Sequence, residues 1–548
     1  MRTKATRSSD PVESRKAPVI PSAGREPWGA SAMRTTRRDF LIATTGLTLI
    51  GPAAARKAGA GCLEPSLADG VETADIVIVG SGGAGLSAAL AAREKMPGRI
   101  VILEKMTVPG GNTRFSCGFF NAVDPERQRP DGIVDSLEKH IADTIRSGRG
   151  LADPALVELL CERALDTLHW LEALGVRYES RCTQIYGGLF PRSHLPILPE
   201  AVESYVDILI DAARTRGIEI LTGKTVRELL TEECGGKGGS RETGAARRRV
   251  TGVRYRDEEG SIKTLRARAA VILAAGGYAA NADLCRLHDP RLVGLCTTNA
   301  AGSTGEVMLA AQRAGAYLTG CDFVECIPLH VHYARFAIMV ERAIFVDQMG
   351  ERFVREDDRR DTLRDKILAL PNRHGFVIVD NDGFLSCPPS FQRQLKVGLE
   401  RQEVFSADTL EELAQLLRVP ASNLGETVRR YNRFVAAGAD TDFGRSPQSL
   451  RYPIVSPPFW ACLATMSRHH TMGGVAIDRQ ARVLDWDARP IEALYAAGEI
   501  TGGIHGANRL GGNAICDIHV FGRLAGEEAA ARALAGAAPE ADSHQGAA

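Results

Sequence analysis

Ala74-Asp-Ile-Val-Ile-Val-Gly-Ser-Gly-Gly-Ala-Gly85 reads as a buried strand running straight into a glycine turn. A helical stretch, Leu86–Glu94, follows, and then a second apolar strand, Ile100–Leu103, ending at Glu104. Strand, G-x-G-x-x-G, helix, strand and a terminal carboxylate form the complete dinucleotide fingerprint rather than an isolated glycine motif. Gly80 makes the turn, Gly82 lets a pyrophosphate approach bare backbone, and Gly85 packs helix on strand. Glu104, about 24 residues on, is placed to accept from a ribose hydroxyl.

A second glycine-rich segment, Gly110-Gly-Asn-Thr-Arg-Phe-Ser-Cys-Gly-Phe-Phe-Asn121, comes directly after Glu104-Lys105 and carries small polar side chains suited to a cofactor's phosphates and ring. A third lies near the other end of the chain. Leu494-Tyr-Ala-Ala-Gly-Glu-Ile-Thr-Gly-Gly-Ile-His-Gly-Ala-Asn-Arg-Leu-Gly-Gly-Asn-Ala-Ile-Cys-Asp517 starts as an apolar run, opens into six glycines around Arg509, and passes into an Ala-rich helix over Ile518–Ala535. An arginine among bare backbone amides points to an anion held at close range.

Between these signatures the chain alternates. Residues 133–230 are mostly helical by spacing, with Leu156–Leu174 and Ala201–Arg216 the clearest cases. Tyr186–His194 reads as a loop facing the site, with Arg192 and His194 as candidate polar groups. Glu219–Lys224 and Val226–Thr231 read as a strand pair. Val250–Arg256 with Ile262–Arg266 forms a hairpin, and Ala269–Leu273 a buried strand ending in Ala274-Ala-Gly-Gly277. From Asp322 to Ala464 charges, Pro and aromatics rise and the strand–Gly–helix pattern lapses, as expected of an inserted capping domain. The expected organisation is an α/β, Rossmann-like domain in two parts, 72–321 and 466–536, with an α+β cap at 322–465 and a frayed tail at 537–548.

The 548 residues carry 67 basic and 67 acidic side chains, so no global charge argues for nucleic acid or an acidic membrane surface. Twelve cysteines over this length make no disulfide framework, and no Cys-x-x-Cys-His occurs to attach a c-type haem. Cys321 and Cys326 read as buried small residues, and no metal site is expected. Residues 1–71 read as a disordered lead and linker around an export signal. Arg37-Arg38-Asp-Phe-Leu41 precedes a short apolar core and Ala-rich cleavage sites, resembling a twin-arginine signal, with Met33 an alternative start. Cys62 lacks the leucine three residues before it that lipidation would need. No stable membrane span is expected.

With both ends placed, the chain resembles the flavoprotein of the fumarate reductase/flavocytochrome c family over about residues 73 to 532. His469-His-Thr-Met-Gly-Gly474 and His505-Gly-Ala-Asn-Arg-Leu-Gly-Gly-Asn-Ala514 carry the resemblance, supported by Gly110-Gly-Asn-Thr113, Ala274-Ala-Gly-Gly277 and Gly350-Glu-Arg-Phe-Val354. The cofactor implied is FAD. It is expected to be non-covalent, because no histidine in the early glycine segment stands where the membrane-bound relatives make their link. The family's FAD contacts fall on Ala84, Gly85, Glu104, Asn112, Thr113, Gly118, Ala275, Gly276, Glu499, Ala514 and Ile515, with Lys105 and Asn513 beside them.

The resemblance implies hydride transfer to the β-carbon of an unsaturated mono- or dicarboxylate. Arg509 grips the carboxylate, His470 adds a donor, and Arg360, with Asp361 behind it, protonates the α-carbon. Arginine is an awkward acid, with an ordinary pKa above about 12, so this step is carried by the family match alone. The chain also departs from the family. The window expected to hold a Glu-x-x-Arg relay reads Phe336-Ala-Ile-Met339, with Glu341-Arg342 displaced beyond it. The expected His-Pro contact is replaced by Ile327-Pro-Leu-His-Val-His332, which offers His330 or His332. A separate electron donor such as a cytochrome is expected, at a periplasmic location. The competing readings are a dehydrogenase desaturating a ketosteroid-like or saturated acid substrate, and a non-catalytic flavin carrier.

Overall fold

The computed structural model describes residues 71–537, apart from 186, 200–201, 235–246, 329–335, 337–339 and 388. The export signal, Cys62, the C-terminal tail, His330 and His332 lie outside the described residues.

In chain order the first part contributes β1 (Glu72–Val79), α1 (Gly83–Lys95), β2 (Ile100–Leu103), β3 (Glu219–Leu221), β4 (Thr225–Cys234), β5 (Arg247–Arg256) and β6 (Ile262–Leu273). The middle adds β7 (Val324–Ile327), β8 (Ile344–Val346), α2 (Arg360–Ala369), β9 (His374–Val379), β10 (Val404–Ala407), β11 (Phe459–Thr465) and β12 (Ser467–Thr471). The chain then returns with β13 (Arg482–Leu484), β14 (Pro490–Ala496) and α3 (Asn513–Ala537).

Among the described residues the main sheet runs β13–β14–β5–β6–β1–β2–β3, with β4 on β5. The β14–β6–β1–β2–β3 core is parallel. Apolar residues on both faces of β1 and β2 explain their unbroken aliphatic runs: a parallel sheet is covered on both sides. On one face lies α1, whose residues Gly83 to Ala92 are all buried. α3 crosses it closely, because added Cβ atoms at Gly522 and Gly526 would fall 2.6 Å from Ala84 O and 2.1 Å from Ala88 O. The two ends of the fold are thus packed on each other.

Two expectations need correction. Glu219–Leu221 and the following strand do not pair: β3 pairs in parallel with β2 (Ile102 opposite Ile220), whereas β4 pairs antiparallel with β5. The chain turns between them at Gly223, φ +66°, which takes β4 away from β3. The separate strands expected at Ile262–Arg266 and Ala269–Leu273 are one continuous β6, pairing with β5 over Ile262–Arg266 and with β1 from Leu265 to Leu273.

The middle segment builds an antiparallel sheet in the order β8–β9–β11–β10. Along β9, Phe376 and Ile378 join a cluster with Leu413, Leu424 and Tyr431 of the helices Leu410–Leu417 and Ala421–Ala437. Val377 and Val379 face the other way, into the main core. The period of two places one face of this sheet on its own helices and the other on the body of the protein. The architecture is a Rossmann-like parallel α/β fold with an inserted α+β segment. Among the described residues no helix is long and apolar enough to cross a membrane.

Candidate active site

A cavity of ≈ 510 Å³ runs from the β1–α1 turn to the end of β12. Its first end is built by glycines with different duties. Gly80 has φ +105°, and a Cβ there would lie 2.3 Å from Ala274 O; at Gly85 it would lie 2.0 Å from Gly80 O. These two close the turn against β6 and the helix. At Gly82 a Cβ would meet nothing nearer than Thr113 Oγ1 at 3.7 Å, at Gly111 nothing nearer than Gly82 Cα at 3.7 Å, and at Gly276 only Ser303 Oγ at 3.8 Å. All three line the cavity, so backbone stands bare where side chains would project. The N-terminus of α1 opens here, with Gly83 N–H donating to Thr113 Oγ1 at 3.0 Å. Bare amides beside a helix N-terminus fit the pyrophosphate of FAD.

Glu104 sits in the wall at the end of β2. Its carboxylate accepts from Ser81 N–H at 3.0 Å, Ser81 Oγ at 2.5 Å and Met106 N–H at 2.8 Å, which fixes it beside the cavity. Lys105 Nζ reaches Thr304 Oγ1 at 2.6 Å and Glu306 Oε1 at 2.8 Å. Asn112 is a hub: its amide nitrogen donates to Asn299 Oδ1 (2.6 Å) and Glu499 Oε2 (3.2 Å), and its oxygen accepts from Ala300 N–H (2.8 Å). Ala84, Gly118, Ala275, Glu499, Ala514 and Ile515 are also in the lining; Gly85 and Asn513 are not. Asn513 instead bonds Asn121 and Thr144 in the core.

The other end of the cavity is charged and buried. β12 lies antiparallel to β7, with His470 opposite Glu325. Arg509 comes from the C-terminal glycine loop and Arg360 from the first residue of α2. Arg360 Nη1 and Arg509 Nη2 both donate to one oxygen, Glu325 Oε2, at 2.8 and 2.7 Å. His470, Arg360, Arg509 and Glu325 are each 3–5% exposed. Burial, reinforced by Arg360 and opposed by Glu325, lowers the Arg509 pKa to about 10. Burial and then Arg509 hold His470 well below the ordinary imidazole value, and burial with Arg360 does the same for His469. Burial raises Glu499, whose Oε2 is 3.9 Å from His470 Nδ1. His470 Nε2 and Arg509 Nε have no hydrogen-bond partner among the described residues. A neutral imidazole and a cation with spare donors suit a carboxylate.

Thus three residues far apart in sequence, Arg360, His470 and Arg509, come together in the lining. Asp361 does not contact the cavity; it is held by Arg149 Nε at 2.7 Å and Arg359 Nε at 3.0 Å. Burial raises its pKa, but the two arginines outweigh that and leave it lowered. The displaced relay pair points elsewhere: Arg342 lies 3.7 Å over the Tyr452 ring. Arg192 and His194 are core groups, Arg192 paired with Asp135 and Asp143, and His194 with Asp124. None of the described residues of that loop lines the cavity, though Ile185, just before it, does. Sequence reasoning missed Glu325. The signal available was a carboxylate inside an apolar strand, Val324-Glu-Cys-Ile327, since a buried charge requires a partner.

Residues 75–515 match the family described as an FAD binding domain. A probable fumarate reductase of Shewanella frigidimarina is 34% identical over 84% of this chain and 76% of its own length. The chain belongs to the fumarate reductase/flavocytochrome c family of flavoproteins. A solved structure of this family, the open conformation of a flavocytochrome c3 fumarate reductase, superposes with a TM-score of 0.66 at 32% identity, covering 85% of this chain and 79% of that one. A 3-ketosteroid-Δ4-(5α)-dehydrogenase from Rhodococcus jostii RHA1 superposes with a TM-score of 0.65 at 25% identity, covering 85% and 99%. Like its family, the protein is an FAD-dependent oxidoreductase acting on CH–CH groups.

Proposed function

We propose that this protein reduces the double bond of an α,β-unsaturated carboxylate. The observation that carries the reading is the meeting of Arg360, Arg509 and His470 at one end of a cavity whose other end suits FAD. FAD held there by the bare amides around Gly82 and by Glu104 would supply hydride chemistry at the substrate's β-carbon. Charge then builds toward the α-carbon and its carboxylate, where fixed donors in a dry site are most effective. Arg509 grips the carboxylate, His470 donates to it from Nε2, and Arg360 gives a proton to the α-carbon. Two electrons and one proton arrive with the hydride and a second proton from the arginine, giving the saturated acid. Arg360 then regains its proton from solvent.

The FAD is held without a covalent link, since residues 110–121 contain no histidine. The Arg37-Arg38 signal sends the protein across the cytoplasmic membrane, and the electrons come from a separate carrier such as a cytochrome, because the sequence has no haem attachment motif. Residues 322–465 act as the cap over the flavin.

The test feeds reduced viologen to the FAD-loaded protein with fumarate, urocanate, methacrylate or arylacrylates. Turnover with at least one acid is expected; none with any of them removes the reading. The likeness to a ketosteroid dehydrogenase gives the second reading its one support, and desaturation of a steroid by the purified protein would decide for it. Equal flavin reoxidation by every acceptor would favour a carrier.

A further inference from the structure

Behind the acid end of the cavity, bonded to both of its arginines, stands a negative charge that hydride and proton delivery do not call for. Glu325 stands in a strand whose other members, Val324, Cys326 and Ile327, are buried and uncharged. A carboxylate there is costly unless it is paired. Its Oε2 is shared by the two guanidiniums, and its Oε1 has no hydrogen-bond partner among the described residues.

The charge count follows. Arg360 and Arg509 bring two positive charges and Glu325 removes one. Burial keeps His469 and His470 neutral. His505 faces Asp517 at 3.1 Å, a pair that adds no net positive charge. Any ionisation of Glu499 subtracts further. Counting Glu325 with the ionisable side chains that line this end, the fixed charge there is therefore at most +1. One substrate carboxylate balances it. A second would be left uncompensated in a site where charges are weakly screened.

The wall beside the arginines agrees. Ile327 and Ile185, 5% and 7% exposed, both line the cavity. Two residues after Ile185, a Cβ on Gly187 would fall 3.0 Å from Arg360 Nε, so this apolar stretch lies against the proposed acid. Hydrocarbon side chains give a second carboxylate no donor.

We propose that the substrate is an α,β-unsaturated monocarboxylate with an uncharged, apolar group on its β-carbon, and that Glu325 sets this preference. The proposal rests on the reductase reading above. Glu325 acts through Arg360 and Arg509, as a positioning residue that fixes the net charge.

The experiment compares kcat/KM for crotonate, cinnamate and fumarate, using the FAD-loaded full chain with reduced methyl viologen as donor. Calorimetric titration with butyrate and succinate reads binding without turnover. The monocarboxylates should be favoured by about tenfold or more in both measurements. E325Q keeps the shape and removes the charge; it should raise the fumarate-to-crotonate ratio roughly tenfold, mainly through KM, and tighten succinate. E325D should keep the parent's order. Fumarate preferred by the parent, or an unchanged ratio in E325Q, overturns the proposal and leaves the reductase reading standing. Turnover with no unsaturated acid overturns both. If E325Q does not fold, the parent's own order of substrates still decides.

Discussion

Alanine placed in turn at Gly82 and Gly85 separates cofactor binding from folding. Gly82 has φ −68° and ψ −179°, a conformation open to any L-residue, and its new methyl would meet nothing within 3.7 Å. Reduced freedom of the unfolded chain favours G82A by about 0.4–1 kcal/mol. The same methyl, however, stands where phosphate must approach the backbone. Displacing the phosphate from one N–H removes a charge-assisted bond worth about 1.5–3 kcal/mol. At 1.4 kcal/mol per decade this weakens FAD roughly 10- to 100-fold. At Gly85 the methyl carbon would lie 2.0 Å from Gly80 O, and relief requires moving α1 off the sheet, a cost of about 1–3 kcal/mol or more. Thermal unfolding of the apo-protein and quenching of flavin fluorescence measure the two effects. We expect G82A to melt at or above the parent's temperature with weak FAD binding, and G85A to melt lower. Parent-like FAD affinity in G82A, or apo destabilisation equal to that of G85A, would refute the reasoning.

R360K keeps the charge but loses the planar fork that reaches Glu325. Turnover should fall at least about 100-fold while FAD content is unchanged, as absorbance and steady-state rates would show. Arg509 is a cation below its lowered pKa of about 10, so binding of a carboxylate product analogue should be steady at neutral pH and weaken as pH rises through that value; calorimetry showing affinity undiminished at about pH 11 would contradict it. R192A leaves the Asp135 carboxylate buried without its guanidinium, while Asp143 keeps Lys139 and Arg146. It should cost about 3–5 kcal/mol of stability, read by denaturant unfolding, with FAD content per folded molecule intact.

The cofactor end was legible because its determinants are local. A turn that needs Gly80, a gap at Gly82 and a helix start at Gly83 are neighbours in sequence, and their spacing carries the geometry. Arg509 was legible for the same reason, embedded in its own glycine loop. Glu325 was not. Its position depends on β7 finding β12, on a bulge between Glu325 and Cys326, and on α2 arriving from a third segment. No short spacing encodes such a meeting. The β3–β4 error has a related cause: adjacent strands suggest a hairpin, but β2 offered β3 an open parallel edge. Arg192 and His194 were ambiguous because a polar residue bound for the core and one bound for a site look alike until burial is known.

The close crossing of α1 and α3 bears on how the molecule is made. α1 leaves the ribosome more than 400 residues before α3, and the face that Gly522 and Gly526 cover lacks that cover until α3 has been synthesised. At about 5–20 residues per second that interval is on the order of 20 to 80 seconds. During it, the greasy side of α1 stands open to chaperones or to other nascent chains. Arg509, which lies just ahead of α3, emerges with it, so the nucleotide pocket and the acid grip mature together.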